Sequence, residues 1–237
     1  MCGRFALSTS AGELLVEFGL SGAYQAAPPA PSLVEGRFNV APGQPVVAAR
    51  VAEAARELTA LRWGLIPAWA GDPTIGNRLI NARAETVAEK PAFRKAFEQR
   101  RCLVPMTAFY EWRRGGERGG EPWAFFRADG GLLAVAGLWE RWVGLDGTEL
   151  ETCALLTTTP NELVARVHDR MPVIVTRADH ERWLDPDARG GALAGLLVPY
   201  PADRMRARRV SPRVGNVAHD DPGLLDPLPV EPELELG

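Results

Sequence analysis

From Cys102 to Thr158 the chain runs through five short apolar segments, CLVPM, AFYEW, PWAFF, LLAVAGLW and TCALLTT, with turn-forming stretches between them. Segments of this length, punctuated by glycine and proline, form strands joined by tight connections. RRGGERGGEP (Arg113–Pro122) has the composition of a hairpin loop, and Val46–Val51 and Glu57–Trp63 read as two earlier strands. Helical signals are fewer. Ala11–Phe18 is preceded by Ser10 as a cap, and Lys90–Arg101 carries Pro91 in its first turn with Phe93 and Phe97 on one face. T-P-N-E at Thr159 has the form of a capping box and predicts a helix to His168. PVIV (Pro172–Val175) reads as a strand, Arg177–Leu184 as a helix and AAPPAPS (Ala26–Ser32) as a loop. Strands outnumber helices and do not alternate with them. The pattern predicts one α+β domain on a largely antiparallel, barrel-like core with flanking helices.

At 237 residues and 46% hydrophobic, the chain can bury a substantial core. No apolar run approaches the roughly 20 residues needed to span a bilayer, and no basic region leads into an apolar signal segment, so a cytoplasmic protein is expected. Cys2, Cys102 and Cys153 are far apart and lack a CxxC pair, and His168, His180 and His219 are equally scattered. Neither a metal site, a cofactor nor a disulfide framework is expected. Cys102 and Cys153, in apolar strands, read as inert core thiols. The formal charge is −3, yet the last eighteen residues hold six acids and no base, which leaves residues 1–219 at +3. The expected division is therefore a folded body at 1–219 and a solvated acidic, Pro-rich tail at 220–237. A mildly basic body permits nucleic-acid binding without requiring it.

The chain opens MCGRF. Removal of Met1 would leave Cys2 with two neighbouring nucleophiles, an α-amine of pKa about 7.7–8.0 and a thiol near 8.5. Other polar residues stand in apolar surroundings: Asn39 in FNVAPGQ, Asn81 in LINARAET, Glu111 in AFYEW, and His168 ahead of DRMPVIV. Each has a structural reading: a turn or helix cap for the asparagines, a solvent-facing strand position for Glu111, a helix C-terminus for His168. Together they make a covalent-catalysis set of nucleophile, acid–base group, carboxylate and orienting amide, the last from Asn81 or Asn39. Arg4, Arg78, Arg83 and Arg170 lie beside these residues in sequence, as do Trp63, Trp69 and Trp112. Arginines hold phosphates, and aromatic faces accept unstacked bases. Trp63 and Trp112 are expected in the core, and Trp69, in a Pro-Ala-Trp-Ala-Gly-Asp-Pro loop, at the surface.

Nine segments in order, CGRF, FNVAPGQ, WGLIPAW, INARAET, AFRKAFEQRRCLVP, FYEW, AGLWE, HDRMPVIV and VSPRVGNV, cover nearly all of the chain short of its acidic tail. This series resembles the SRAP (SOS response-associated peptidase) family of abasic-site processing proteins. Ala108 before FYEW, where glycine is common, and TTTPNEL in place of a TT-x-AN pattern are mild departures. The resemblance implies a compact α+β domain around a barrel-like core. It also implies recognition of abasic sites in single-stranded DNA, with covalent attachment through a terminal Cys2. Asn81 and Glu111 would then line the site, His168 would act as acid–base group, and Arg4 and Arg83 would contact phosphates. Asn39, Trp69 and Arg170 complete the expected DNA-binding set, on a monomer that associates with the nucleoid when bound to DNA. Two rival readings remain open on sequence: an N-terminal-nucleophile peptidase or amidohydrolase that uses the Cys2 amine as base, and a non-covalent single-strand-binding module in which Cys2 is incidental.

Overall fold

A computed structural model describes residues 2–20, 30–52, 55–113, 115 and 120–228. In chain order the elements are β1 (Phe5–Leu7), α1 (Ala11–Glu17), β2 (Arg37–Val40), β3 (Pro45–Ala52), β4 (Ala55–Trp63), β5 (Asn81–Arg83) and α2 (Arg94–Gln99). They continue with β6 (Arg101–Met106), β7 (Ala108–Arg113), β8 (Glu121–Arg127), β9 (Leu133–Val143), β10 (Glu149–Thr158), β11 (Met171–Pro172), α3 (His180–Leu184), α4 (Gly191–Ala194) and β12 (Met205–Arg209). No described helix is long and apolar enough to cross a membrane.

Five strands close into a barrel in the order β3–β4–β10–β9–β6 and back to β3. Every seam is antiparallel except one, where Arg62 and Trp63 of β4 run parallel to Thr152 and Cys153 of β10. Val47, Leu61, Leu103, Leu138 and Leu155 are fully buried in one continuous core. A second sheet, β12–β8–β7–β1–β2, is antiparallel throughout. Strand alternation gives it two apolar faces. Phe5, Phe109 and Phe125 join the main core, with the Phe109 and Phe125 rings stacked at 5.0 Å. Ala6, Tyr110 and Phe126 lie in a separate cluster, where Val214 and Leu224 of the C-terminal segment cover them.

That covering segment extends past residue 219, where the acidic tail was expected to begin. Leu224 is fully buried, and the Asp220 carboxylate accepts a hydrogen bond from the Phe38 backbone. Residues 220–228 therefore pack on the body, and 229–237 lie outside the described residues. Much of AAPPAPS and of the 113–122 loop tip also lies outside them, although β7 and β8 pair as a hairpin requires, Arg113 opposite Glu121. The Ser10 cap forms as expected. Two helices are shorter than their patterns suggest. Arg101 leaves the 90–101 helix to open β6, its guanidinium bonded to the carbonyls of Phe97, Glu98, Trp183 and Asp185. After Thr159 only a 3-10 turn forms, at Val164–Arg166. Its N-cap position is Leu163, and the side chain of Asn161 just before it accepts from the Val164 N–H and donates to the Tyr200 carbonyl. The PVIV strand narrows to β11 plus a single bridge at Ile174.

Candidate active site

The two sheets bring four of the sequence candidates to one place. β1 pairs with β7 through Phe5 opposite Phe109, and the Arg4 carbonyl accepts from the Tyr110 N–H at 3.0 Å. This register carries Cys2 to Glu111. Both are buried, Cys2 at 0% and Glu111 at 2% exposure. Burial, reinforced by the nearby Glu111 carboxylate, pushes the Cys2 thiol well above its ordinary range, with the Arg4 backbone N–H working weakly against that shift. Glu111 is itself pushed up to about 7, foremost by burial.

Asn81 comes from β5, three residues that run parallel to β10 with Asn81 opposite Leu155 and Arg83 opposite Thr157. A close chain crossing places this strand. A Cβ on Gly76 would meet the Gly64 carbonyl oxygen at 2.7 Å, and one on Gly64 would meet the Gly76 oxygen at the same distance, so both positions require glycine. The Trp63 indole N–H then donates to the Ile80 carbonyl at 2.9 Å. From β5, Asn81 Nδ2 donates to the Cys2 backbone carbonyl at 2.8 Å. Its Oδ1 is buried with no hydrogen-bond partner among the described residues.

His168 follows the 164–166 turn and places Nε2 3.7 Å from Glu111 Oε2. Nδ1 accepts the Arg170 backbone N–H at 3.0 Å. The Arg170 carbonyl lies at 3.2 Å from the same nitrogen, but the nearer peptide N–H can only donate, and that makes Nδ1 the acceptor. Asp169 Oδ1 also lies 3.2 Å from Nδ1, but its side chain is 79% exposed and free to swing away, whereas the peptide donor is fixed. A neutral His168 therefore carries its proton on Nε2, facing Glu111.

The expected DNA contacts divide. Trp69 is 65% exposed and Arg83 is exposed, both open to a ligand. Asn39, expected to contact DNA, lies in the interior. It is 1% exposed, its amide donates to the carbonyls of Val214, Asn216 and His219, and its oxygen accepts from Arg4. Arg4 Nη1 bonds to Asn39 and to the Val214 carbonyl, which leaves Nη2 without a partner among the described residues. Arg170 is paired bidentately with Glu85 at 2.6 and 2.9 Å and also donates to the Thr157 carbonyl, so a phosphate reaches it only by displacing that carboxylate. Glu85 carries no signal of this pairing in the sequence, since its partner lies 85 residues away and no local pattern links them. Trp63 is in the core, while Trp112 is only partly buried, against the outer cluster. Cys102 and Cys153 are fully buried, and burial pushes the Cys102 thiol to about 12.

The family model of the SOS response associated peptidase (SRAP) matches residues 1–217. The chain belongs to the SRAP family. Among its relatives is the abasic site processing protein YoqW of Bacillus subtilis (strain 168), 40% identical over 227 residues, covering 95% of this chain and 99% of that one. The abasic site processing protein YedK of Escherichia coli (strain K12) is 28% identical, covering 96% and 100%. The crystal structure of a protein from Bacteroides thetaiotaomicron superposes with a TM-score of 0.84 at 27% identity, covering 96% of this chain and 100% of that chain. The barrel with a second sheet laid against it is thus shared at this distance in sequence.

Proposed function

We propose that this SRAP-family protein processes abasic sites in DNA by capturing them covalently at Cys2. The observation that carries this reading is the convergence of Cys2, Asn81, Glu111 and His168, from separate elements, on one buried point. With Met1 in place the Cys2 nitrogen is a peptide nitrogen and the thiol is protonated and buried. Removal of Met1 is therefore the activating step, because it turns that nitrogen into an α-amine.

An abasic deoxyribose exchanges between a closed hemiacetal and an open aldehyde. His168 moves the proton that opens the ring. The Cys2 amine adds to the aldehyde carbon, and loss of water gives an imine. The thiol then adds across the C=N bond: sulfur bonds to carbon and its proton passes to nitrogen, closing a five-membered thiazolidine. The net change is loss of one water, with no oxidant or reductant. A carboxyl raised toward neutrality by burial suits Glu111 to shuttle these protons in both directions. Asn81 holds the Cys2 carbonyl with Nδ2 and offers Oδ1 to a hydroxyl of the opened sugar. Arg4 Nη2, Arg83 and Trp69 face the flanking strand. Single-stranded DNA is the natural substrate, since a site within a duplex must first be extruded.

The test is intact-protein mass spectrometry before and after incubation with a single-stranded oligonucleotide bearing one abasic site. The expected result is a protein lacking Met1 that gains the oligonucleotide mass less one water, and no gain in Cys2→Ala. A Met1-free protein that forms no adduct overturns the proposal.

A further inference from the structure

The Glu85–Arg170 pair joins the two stretches of chain that supply Asn81 and His168. The Thr157 carbonyl on β10 accepts from the Ala84 N–H at 2.8 Å and from Arg170 Nη2 at 2.6 Å. Glu85, next to Ala84, closes the loop by gripping both Nη atoms of Arg170. The arginine side chain is only 15% exposed, and such a planar, two-pronged pair fixes orientation in a way a single flexible contact does not. The Arg170 hydrogen bond holds the Glu85 carboxyl below its ordinary range, so it is charged at neutral pH. The other end of the same residue does the chemically important work, because the Arg170 backbone N–H donates to His168 Nδ1.

We infer that Glu85 is a positioning residue for His168: by clamping Arg170 against the Thr157 carbonyl it aims the Arg170 N–H at Nδ1 and keeps the imidazole proton on Nε2, toward Glu111. The inference rests on the covalent-capture reading only for its catalytic consequence, because the tautomer of His168 is a property of the DNA-free protein. An ion pair whose carboxylate is still half in solvent is worth little as stabilisation, so the value of this one lies in the geometry it sets.

The experiment uses the full chain with Glu85→Gln, Glu85→Asp and Arg170→Lys. Histidine ¹⁵N NMR reads the His168 tautomer without DNA. Adduct formation is timed at saturating single-stranded oligonucleotide bearing one abasic site. In the wild type Nε2–H predominates. Glu85→Gln and Arg170→Lys mix the tautomers and slow adduct formation roughly tenfold to a hundredfold, the scale on which small misplacements act. Glu85→Asp recovers part of both. A Glu85→Gln protein with the wild-type tautomer overturns the inference. So does one whose only change is tighter DNA binding with an unaltered saturating rate, for Glu85 would then merely mask the charge of Arg170. Arg170→Lys keeps the charge and tests the clamp independently should Glu85→Gln not fold. A wild-type protein with the Nε2–H tautomer and no adduct sinks the capture reading while leaving the tautomer result to decide on Glu85.

Discussion

Asn81 donates its side-chain amide to the backbone carbonyl of Cys2 at 2.8 Å, across 79 positions of sequence. The bond ties the barrel to the segment that carries the proposed nucleophile, so its loss acts on position more than on stability. Asn81→Ala is expected to cost about 1 kcal/mol in unfolding free energy, as for an ordinary hydrogen bond. Adduct formation is expected to fall by roughly a hundredfold, since reacting groups are sensitive to displacements near 1 Å. Thermal melts and single-turnover adduct kinetics on the same samples separate the two. A variant that loses both in proportion would make Asn81 simply structural.

Glu111 sets a pH dependence of known sign. Its folded pKa is about 7, raised by burial above its ordinary value of 4.5. The fold thus holds a proton that the unfolded chain has lost between those values, and the contribution of Glu111 to stability declines as pH rises through that window. Glu111→Gln, which stays neutral, is expected to gain relative to wild type at pH 8 and not at pH 4.5, by up to about 3 kcal/mol. The same variant is expected to lose adduct formation at every pH. Denaturant melts at the two pH values decide the first point, and mass spectrometry the second.

What is legible in the chain is local. The hairpin β3–β4 and the runs from β6 to β10 announce themselves because each strand is apolar and bounded by turn residues, and Ser10 caps α1 through its own neighbours. The four residues of the candidate site are also legible, though only as types, since nothing local says that residues 2, 81, 111 and 168 meet. What cannot be read depends on distant partners. β5 is three residues long and is a strand only because β10 lies beside it. β12, MRARR, has the composition of a solvated segment, yet it pairs residue for residue with β8. T-P-N-E makes no capping box, and Asn161 within it instead accepts from the Val164 N–H and donates to the Tyr200 carbonyl, 39 residues away; Asn39 reads as a ligand contact because its acceptors lie about 180 residues away.

Asn39 is for that reason a stability residue, and its neighbour Arg4 is a proposed DNA contact. Asn39→Ala removes the donor shared by Val214, Asn216 and His219 and the acceptor that holds Arg4. The expected cost is about 2–3 kcal/mol, or roughly 5–10 °C in Tm. Hydrogen exchange should speed up across the described C-terminal segment, residues 211–228, before the barrel opens. Trp69→Ala, at a 65% exposed position, is the control and should stay within about 0.5 kcal/mol of wild type. Equal melting temperatures for the two variants would rule out this structural role for Asn39.

His180 provides a second pH response of opposite direction. It is 3% exposed, its ring centroid 5.5 Å from that of Phe18, and its Nε2 has no hydrogen-bond partner among the described residues. Burial, together with the nearby Arg56 and Arg177 charges and against the pull of Val175 and Asp179, lowers its pKa from 6.5 to about 4. The fold keeps His180 neutral where the unfolded chain is already protonated. Its contribution is therefore intact above pH 6.5 and is lost as pH falls toward 4, by up to about 3 kcal/mol. Glu111 works the other way over much of the same range, so the wild-type curve alone cannot display either effect. His180→Phe preserves the ring packing, gives up the hydrogen bond to the Val175 backbone and cannot titrate. It should be about 1 kcal/mol less stable than wild type at pH 8 and more stable at pH 4.5, so the two stability curves cross. Parallel curves would place the acid sensitivity elsewhere in the fold.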